Sequence, residues 1–285
     1  MLLAIFTGPV RAEGTPSPDK RVFDGDFTAA ASRVIDGLDG IFGVVLHDLN
    51  SGERFTHLSD RPFTQASVIK LPVLVDLFRQ DRAGNLELDE LITVPEADFV
   101  GGSGILRWLT PGKTTMTLLD LAILMIVLSD NTATNLVINR VGMENVNRTM
   151  EELGYAETRL RRLMMDVQAS REGRENISTP AETADLLAKI HRHEILDAEA
   201  CAEIIRILAM PKTGRINARL PAGVRVANKT GSLARGGVVN DAGVIEAGDA
   251  AVIVSAMINE GTDRSASEAA IAEISRLAFE AVTRQ

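Results

Sequence analysis

Residues 223–261, GVRVANKTGSLARGGVVNDAGVIEAGDAAVIVSAMINEG, hold three short β-rich runs, GVRVANKTG, GGVVNDAGVIEAG and AAVIVSAMINEG, separated by glycine-containing turns. A helical pattern follows from about 264 to 283. At the opposite end of the chain FTAAASRVIDGLD (27–39) has helical spacing, and IFGVVLHDLNSGERFTHL (41–58) reads as two strands around an Asn-Ser-Gly turn. Between these ends the pattern is mostly helical. SVIKLPVLVDLFRQ, TMTLLDLAILMIVL, NTATNLVINRVG, MENVNRTMEELG, TPAETADLLAKIHR and LDAEACAEIIRILAM are the helix candidates, several opened by Thr or Asp or closed by Gly. With strands at both ends and helices between, the fold class is α/β in the broad α+β sense. One antiparallel sheet is assembled from both chain ends and flanked by helices, with an all-helical lobe inserted. The expected organisation is a tail over 1–26 and a single domain over 27–285. Its sheet lobe covers about 27–60 and 211–285, its helical lobe about 61–210. A ligand would sit in the cleft between the lobes.

Composition removes several classes of function. The 285 residues are 45% hydrophobic and 24% charged, as in a folded globular chain. Thirty basic against 39 acidic residues leave a formal charge of −9, which repels a phosphate backbone, so no nucleic-acid partner is expected. The basic cluster Arg159, Arg161 and Arg162 reads as a solvated or locally paired surface segment. Cys201 is the only cysteine, so no intrachain disulfide, CxxC pair or cysteine zinc site can form, and its helical setting marks it as a small buried residue. His191 and His193 are two apart and point away from each other on a helix; no metal site and no cofactor is expected. The apolar run LAILMIVL (121–128) falls far short of the roughly 20 residues that span a bilayer. The N-terminus, MLLAIFTGPVRAEGTPSPDK, has a short apolar start and Ala12 as a potential cleavage site but no basic residue ahead of the run. A clipped signal, and so a periplasmic or secreted protein, is favoured slightly over a frayed terminus. A monomer is expected.

Three short patterns carry chemistry, and two of them occur twice. Ser-x-x-Lys appears as Ser17–Lys20, in a proline-rich tail where nothing holds the serine against the lysine, and as Ser67–Lys70, at the start of an apolar helix. There positions i and i+3 share a face, the amine can reach the hydroxyl, and the helix N-terminus favours a developing oxyanion. Pro72, close behind, removes one backbone bond and can bend that helix. Lys-Thr-Gly appears at 212–214, after a helix end, and at 229–231, between strand patterns. On a strand Lys229 and Gly231 share one face and Thr230 takes the other, with the glycine allowing close approach by a ligand. Ser129-Asp130-Asn131 occurs once, between two helices. Each has a structural alternative: Ser67 as a helix cap, residues 129–131 as a turn that caps the next helix, and 229–231 as a hairpin. Their joint occurrence, on a helix start, an interhelix loop and a strand, argues for function.

The set resembles the class A serine β-lactamases and the related penicillin-binding proteins, whose active site combines SxxK, SDN and KTG. FTQASVIKLPVL, GGSGILRWL, LLDLAILMIVLSDNTATNLVI, RINARLPAGVRVANKTGS and VVNDAGVI extend the likeness over about residues 25–285. The resemblance implies that Ser67 is acylated by a β-lactam or a peptidoglycan-like peptide, and that Lys70 is its base. Burial and the Lys229 cation would hold that lysine neutral. Ser129 would relay a proton to the departing nitrogen, Asn131 would hold Lys70 and the substrate amide, and Lys229 with Thr230 would bind the substrate carboxylate. Gly231 completes the motif, and the backbone N–H groups of Ser67 and Ser232 would form the oxyanion hole. For the further carboxylate contact Arg215 and Arg235 are candidates, each with a surface role as its default.

The likeness breaks at TRLRRLMMDVQ (158–168). Against the family's T-x-L-x-R-x-E-P-x-L-N, Met164 stands where the glutamate that activates water belongs, Met165 at the proline and Gln168 at the asparagine. A thioether takes no proton from water at neutral pH. On a helical turn Met164 and Gln168 would face the water together; Asp166 would reach the cleft only from an extended loop. Asp166 and Gln168 are the surrogate candidates for deacylation, with Glu172 and Glu175 behind them. Arg162 with Glu175 or Asn176 is the alternative that closes the loop's neck. A cis bond before Met165 would cost about 3 kcal/mol, so the loop is expected to take another path. Three readings follow: a β-lactam hydrolase with a non-standard base, a penicillin-binding-like D,D-peptidase or esterase, and a sensor that keeps its adduct.

Overall fold

The computed structural model describes residues 21–284. The Ser17–Lys20 pair and the suspected signal lie outside the described residues. The fold takes up the chain at Val22 and Phe23, earlier than the expected boundary at residue 27. Both side chains are buried, their N–H groups donate to Glu53, and Phe23 packs on Phe27, which in turn meets the edge of Phe55.

In chain order α1 (Gly25–Asp36) is followed by the hairpin β1 (Ile41–Asp48) and β2 (Arg54–His57), whose turn is held by Asp48 accepting from the N–H groups of Asn50 and Ser51. Short β3 (Phe63–Thr64) leads through a 3₁₀ turn, Ala66–Ile69, into α2 (Lys70–Arg82). β4 (Leu91–Thr93) and β5 (Thr115–Thr117) pair with each other, so the first three residues of TMTLLDLAILMIVL are strand; the helix α3 (Leu118–Val127) begins only after Thr117. Thr117 and Asp120 form a capping box there, which fixes the boundary. Next come α4 (Asn131–Val141), α5 (Met143–Glu152), short α6 (Val167–Arg171), β6 (Ile177–Ser178, paired with β3), α7 (Pro180–His191) and α8 (Ala198–Leu208). β7 (Arg225–Leu233), β8 (Val238–Ala247), β9 (Ala250–Asn259) and α9 (Arg264–Thr283) close the chain.

The main sheet has the strand order β2-β1-β9-β8-β7 and is antiparallel throughout, so both chain ends build it. Along β9, Val252, Val254, Ala256 and Ile258 join the core under α1 and α9, while Ala251 and Ile253 join the core of the helical side. Both faces are therefore covered, which is why β8 and β9 read as near-continuous apolar runs. The second face is covered by α7, which packs on β1, β8 and β9 through Ala184, Leu187 and Ala188. The inserted helical stretch thus contributes the sheet's own second layer as well as the far wall of the cleft. Pro72 does not break α2: it lies in the first turn, where backbone N–H groups have no intrahelical partner.

Candidate active site

The 3₁₀ turn that carries Ser67 sits directly on β7. A Cβ added to Gly231 would lie 2.6 Å from the Gln65 carbonyl oxygen and 3.0 Å from the backbone nitrogens of Ser67 and Val68. The chain's own backbone, rather than a ligand, makes the close approach that demands glycine here. Asn240, opposite Gly231 on β8, donates to the Thr64 and Gln65 carbonyls and ties the same turn from below. Ala66 takes φ +47°, a left-handed conformation unusual for a residue with a side chain, immediately before Ser67.

From the opposite side the junction of α3 and α4 delivers Ser129, at φ +52°, and Asn131. Asp130 between them is structural. One carboxylate oxygen caps α4 at the Ala133 N–H, and the other accepts from the N–H groups of Ile105 and Leu106, fixing the 101–106 loop. The capping alternative therefore describes Asp130, while Asn131 lines the cleft and Ser129 Oγ meets the two lysine amines. Nζ of Lys70 lies 2.8 Å from the Ser129 carbonyl, 3.0 Å from Ser129 Oγ and 3.2 Å from Asn131 Oδ1. Among the described residues no hydrogen bond joins Lys70 to Ser67 Oγ. The lysine's partners are those of the α3–α4 junction, and Ser67 sits one turn back along the same helix start. Asn131 also donates to the Gly101 carbonyl at 3.0 Å, linking Lys70 to that loop.

Lys229, from β7, reaches the same point: its Nζ is 3.2 Å from Ser129 Oγ and 3.0 Å from the Thr230 carbonyl. Ser129 Oγ is thus bracketed by two amines. Both are buried, Lys70 at 0% and Lys229 at 1% exposure. Burial, reinforced by the Lys229 charge, holds Lys70 well below the ordinary lysine range. Burial likewise draws Lys229 down to about 7, with Asp241 opposing and Lys212 and Arg215 assisting. Thr230 and Ser232 lie on the other face of the strand from Lys229; they border a shallow recess shared with Arg215, and Ser232 also lines the cleft.

The cleft has a volume of about 320 Å³, and Ser67, Asn131, Ser232, Met164, Met165 and Asp166 are among its walls. Its outer wall is the segment 158–176, and the neck of that segment closes through both partners proposed for Arg162. The guanidinium holds Glu175 at 2.7 Å, and the Asn176 side chain accepts from the N–H groups of Arg161 and Arg162 and donates to the Arg162 carbonyl. Glu175 is occupied there, and Glu172 is paired with Arg174 and Gln168. Asn135 of α4 clamps Met164 by accepting from its N–H at 2.8 Å and donating to its carbonyl at 3.1 Å.

Two expectations about this wall change. Met164 precedes the helical turn, which starts only at Val167, and Met165 takes φ +65° with no cis peptide bond among the described residues. The four-residue spacing therefore does not align Met164 with Gln168. Met164 is 8% exposed on the cleft wall, whereas Gln168 points to solvent and donates to Glu172 at 3.0 Å. Gln168 is not a water-holding residue of the cleft. Asp166 does line the cleft, but as the N-cap of α6, with Oδ1 accepting from the Ala169 N–H at 2.9 Å. It is the one carboxylate among the cleft-lining residues described.

Arg235 stands exposed at the cleft's edge. Arg215 departs from its surface default: its side chain is 10% exposed, paired with Glu268 at 3.2 Å and bonded to the Asn240 carbonyl. The first Lys-Thr-Gly is a helix terminus, where Lys212 donates to the Leu208 and Met210 carbonyls at the end of α8. In the basic cluster Arg159 pairs with Glu151 and Arg162 with Glu175, so local pairing describes those two. Asn135 is the positioning residue that motif reading passes over, because it carries no signal beyond its place in NTATN.

Comparison with known proteins bears on this geometry. A model described as the β-lactamase enzyme family matches residues 26–282. β-Lactamase SME-1 of Serratia marcescens is 30% identical over 255 residues, covering 87% of this chain and 86% of that one. A crystal structure of a β-lactamase from Sphaerobacter thermophilus superposes with a TM-score of 0.82 at 34% identity, covering 90% of this chain and 96% of that chain. PBP-A is similar at 28% identity and a TM-score of 0.81, covering 90% and 97%, in a structure of a leucine-to-glutamate variant as an acyl-enzyme complex with penicillin G.

Proposed function

The chain belongs to the β-lactamase enzyme family as a class A-like serine hydrolase, and from that premise we propose that β-lactams acylate it on Ser67 and that the acyl-enzyme is released slowly. The observation that carries this reading is the contrast between a buried Lys70–Ser129–Lys229 cluster beside Ser67 and a methionine, Met164, on the wall that should supply the base for water.

In the acylation step Ser67 Oγ attacks the lactam carbonyl carbon and its proton passes to the neutral amine of Lys70. Burial favours the neutral amine, whose partners are the Ser129 carbonyl, Ser129 Oγ and Asn131 Oδ1. The oxyanion would be held by the Ser67 and Ser232 N–H groups; collapse then breaks the C–N bond. The departing nitrogen takes its proton from Ser129 Oγ, which is resupplied by Lys70 at 3.0 Å. Lys229, as a cation, and Thr230 bind the substrate carboxylate. Contact with that anion raises the lysine's pKa and keeps it charged.

Release requires water to add to the ester, and here the groups of the wall are spent on structure. Asp166, as the cleft's carboxylate, gives the partial base assistance that release receives. A penicillin-binding-like D,D-peptidase or esterase, whose acyl group passes slowly to water or another acceptor, is the second reading; the likeness to PBP-A supports it. We propose a periplasmic or secreted location, where a β-lactam or peptidoglycan-like substrate would be met.

The experiment mixes purified protein with a chromogenic cephalosporin and follows colour and intact mass together. The expected result is one adduct per chain with slow continuing turnover, and loss of both in Ser67→Ala. Turnover that survives in Ser67→Ala would remove the site assignment.

A further inference from the structure

Away from Ser67, a cavity of about 420 Å³ opens between the C-terminal half of α2 and α5. Its lining includes Asp76, a carboxylate only 2% exposed. Both oxygens of Asp76 accept from neutral donors, Oδ1 from the Thr149 hydroxyl at 2.6 Å and Oδ2 from the Gln80 amide at 2.7 Å. Arg79, one turn further along α2, spends its guanidinium on Thr149 at 3.2 Å and on Glu152. Among the described residues Asp76 therefore has no ion-pair partner. Burial raises its pKa, opposed by those two hydrogen bonds and by the charges of Arg79 and Arg148. A buried carboxylate without a counter-charge is costly, and each of its oxygens keeps a lone pair for a further donor.

Arg148, next to Thr149 on α5, has the opposite need. It lines the same cavity, is exposed, and makes no hydrogen bond or ion pair among the described residues. The cavity thus presents one unmatched charge of each sign. A lone cation would meet Arg79 and Arg148 as well as Asp76, and a lone anion would meet Asp76 and Glu152. A molecule that carries both charges a few atoms apart escapes both penalties. The amides of Gln80, Asn85 and Asn145 also line the space and suit a polar, uncharged substituent. We infer that this cavity binds a free α-amino acid with a polar side chain, its ammonium group donating to Asp76 and its carboxylate accepting from Arg148. The site is separate from the chemistry at Ser67 and does not depend on it.

The test is isothermal titration calorimetry of the full chain with L-glutamine, with N-acetyl-L-glutamine, which lacks the positive charge, and with L-glutamine amide, which lacks the negative one. Glutamine is expected to bind with a Kd below about 10 mM, and each singly charged analogue at least about tenfold more weakly, because a hydrogen bond between charged groups is lost. Arg148→Gln, at an exposed position, and Asp76→Asn should each weaken glutamine binding by about tenfold or more. If Asp76→Asn does not fold, Arg148→Gln alone decides. Glutamine binding that is absent or weaker than this in the unaltered chain would overturn the proposal. So would an analogue that binds as tightly as glutamine, which would make this a site for a single charge. Affinity left unchanged by either folded variant would place the ligand elsewhere and overturn it too. Ser67→Ala is expected to bind glutamine within about twofold of the unaltered chain, which keeps this result distinct from the fate of the Ser67 reading.

Discussion

The two walls of the cleft use their polar atoms differently. On the inner wall, Lys70, Ser129, Asn131 and Lys229 bond to one another, and burial lowers both amines, toward the neutral state that proton transfer needs at Lys70. On the outer wall, Arg162 holds Glu175, Asp166 caps α6, Gln168 meets Glu172 and Asn135 clamps Met164. Those bonds build the wall itself and leave the two methionines and Val167 toward the cleft. On the proposed mechanism, making an acyl-enzyme and hydrolysing it place demands on separate walls, so the inner wall can hold its amines while Met164 stands on the outer one.

Removing the inner wall's base should have the largest effect. Lys70→Met keeps the stem without the amine and is expected to slow acylation by about 10³-fold, read from adduct formation by intact mass; a loss below about tenfold would mean another group takes the proton. Gly231→Ala comes next. Its methyl would meet the Gln65 carbonyl at 2.6 Å and displace the turn that carries Ser67, for an expected loss of about 10²-fold in acylation. An undisturbed rate would show that the turn tolerates separation from β7.

The pH dependence sharpens the roles of the two amines. Lys229 is a cation below about 7 and neutral above. Acylation efficiency toward a carboxylate-bearing β-lactam should therefore fall as pH rises from about 7 to about 9, by up to tenfold per unit. Burial and the Lys229 charge also lower Lys70 well below the ordinary lysine range, toward the neutral form that its role as base requires. Because the bound carboxylate raises the Lys229 pKa, the rate at saturating substrate should hold to higher pH than the efficiency does; coincident profiles would remove Lys229 from carboxylate binding. The smallest effect belongs to the outer wall. Asp166→Asn preserves the cap on α6 and removes only the charge, so adduct decay should slow by about tenfold or less with stability unchanged. Unchanged decay would leave Asp166 as a cap alone.

What could be read from the chain followed from local rules. Short β-rich runs and turn glycines mark β7, β8 and β9, and the Ser67 and Lys229 copies of the repeated motifs stand out because they lie on a helix start and a strand. Other features depend on contacts between distant segments. Gly231 answers to the turn at Ser67, Lys70 finds its partners at the α3–α4 junction, and Arg215 is drawn inward by Glu268 and Asn240. Gln168 was misplaced because i, i+4 spacing presumes a helix through Met164, whereas Met165 at φ +65° interrupts it and the helix starts three residues after Met164.

The lifetime of the Ser67 adduct in the unaltered chain and in Met164→Glu tests the central claim most directly. Time-resolved intact mass after a pulse of benzylpenicillin should show the adduct accumulating in the unaltered chain, and decaying about 10²-fold faster once a carboxylate stands on the outer wall. Turnover of the unaltered chain without an accumulating adduct, or an adduct whose decay Met164→Glu leaves unchanged, would contradict it.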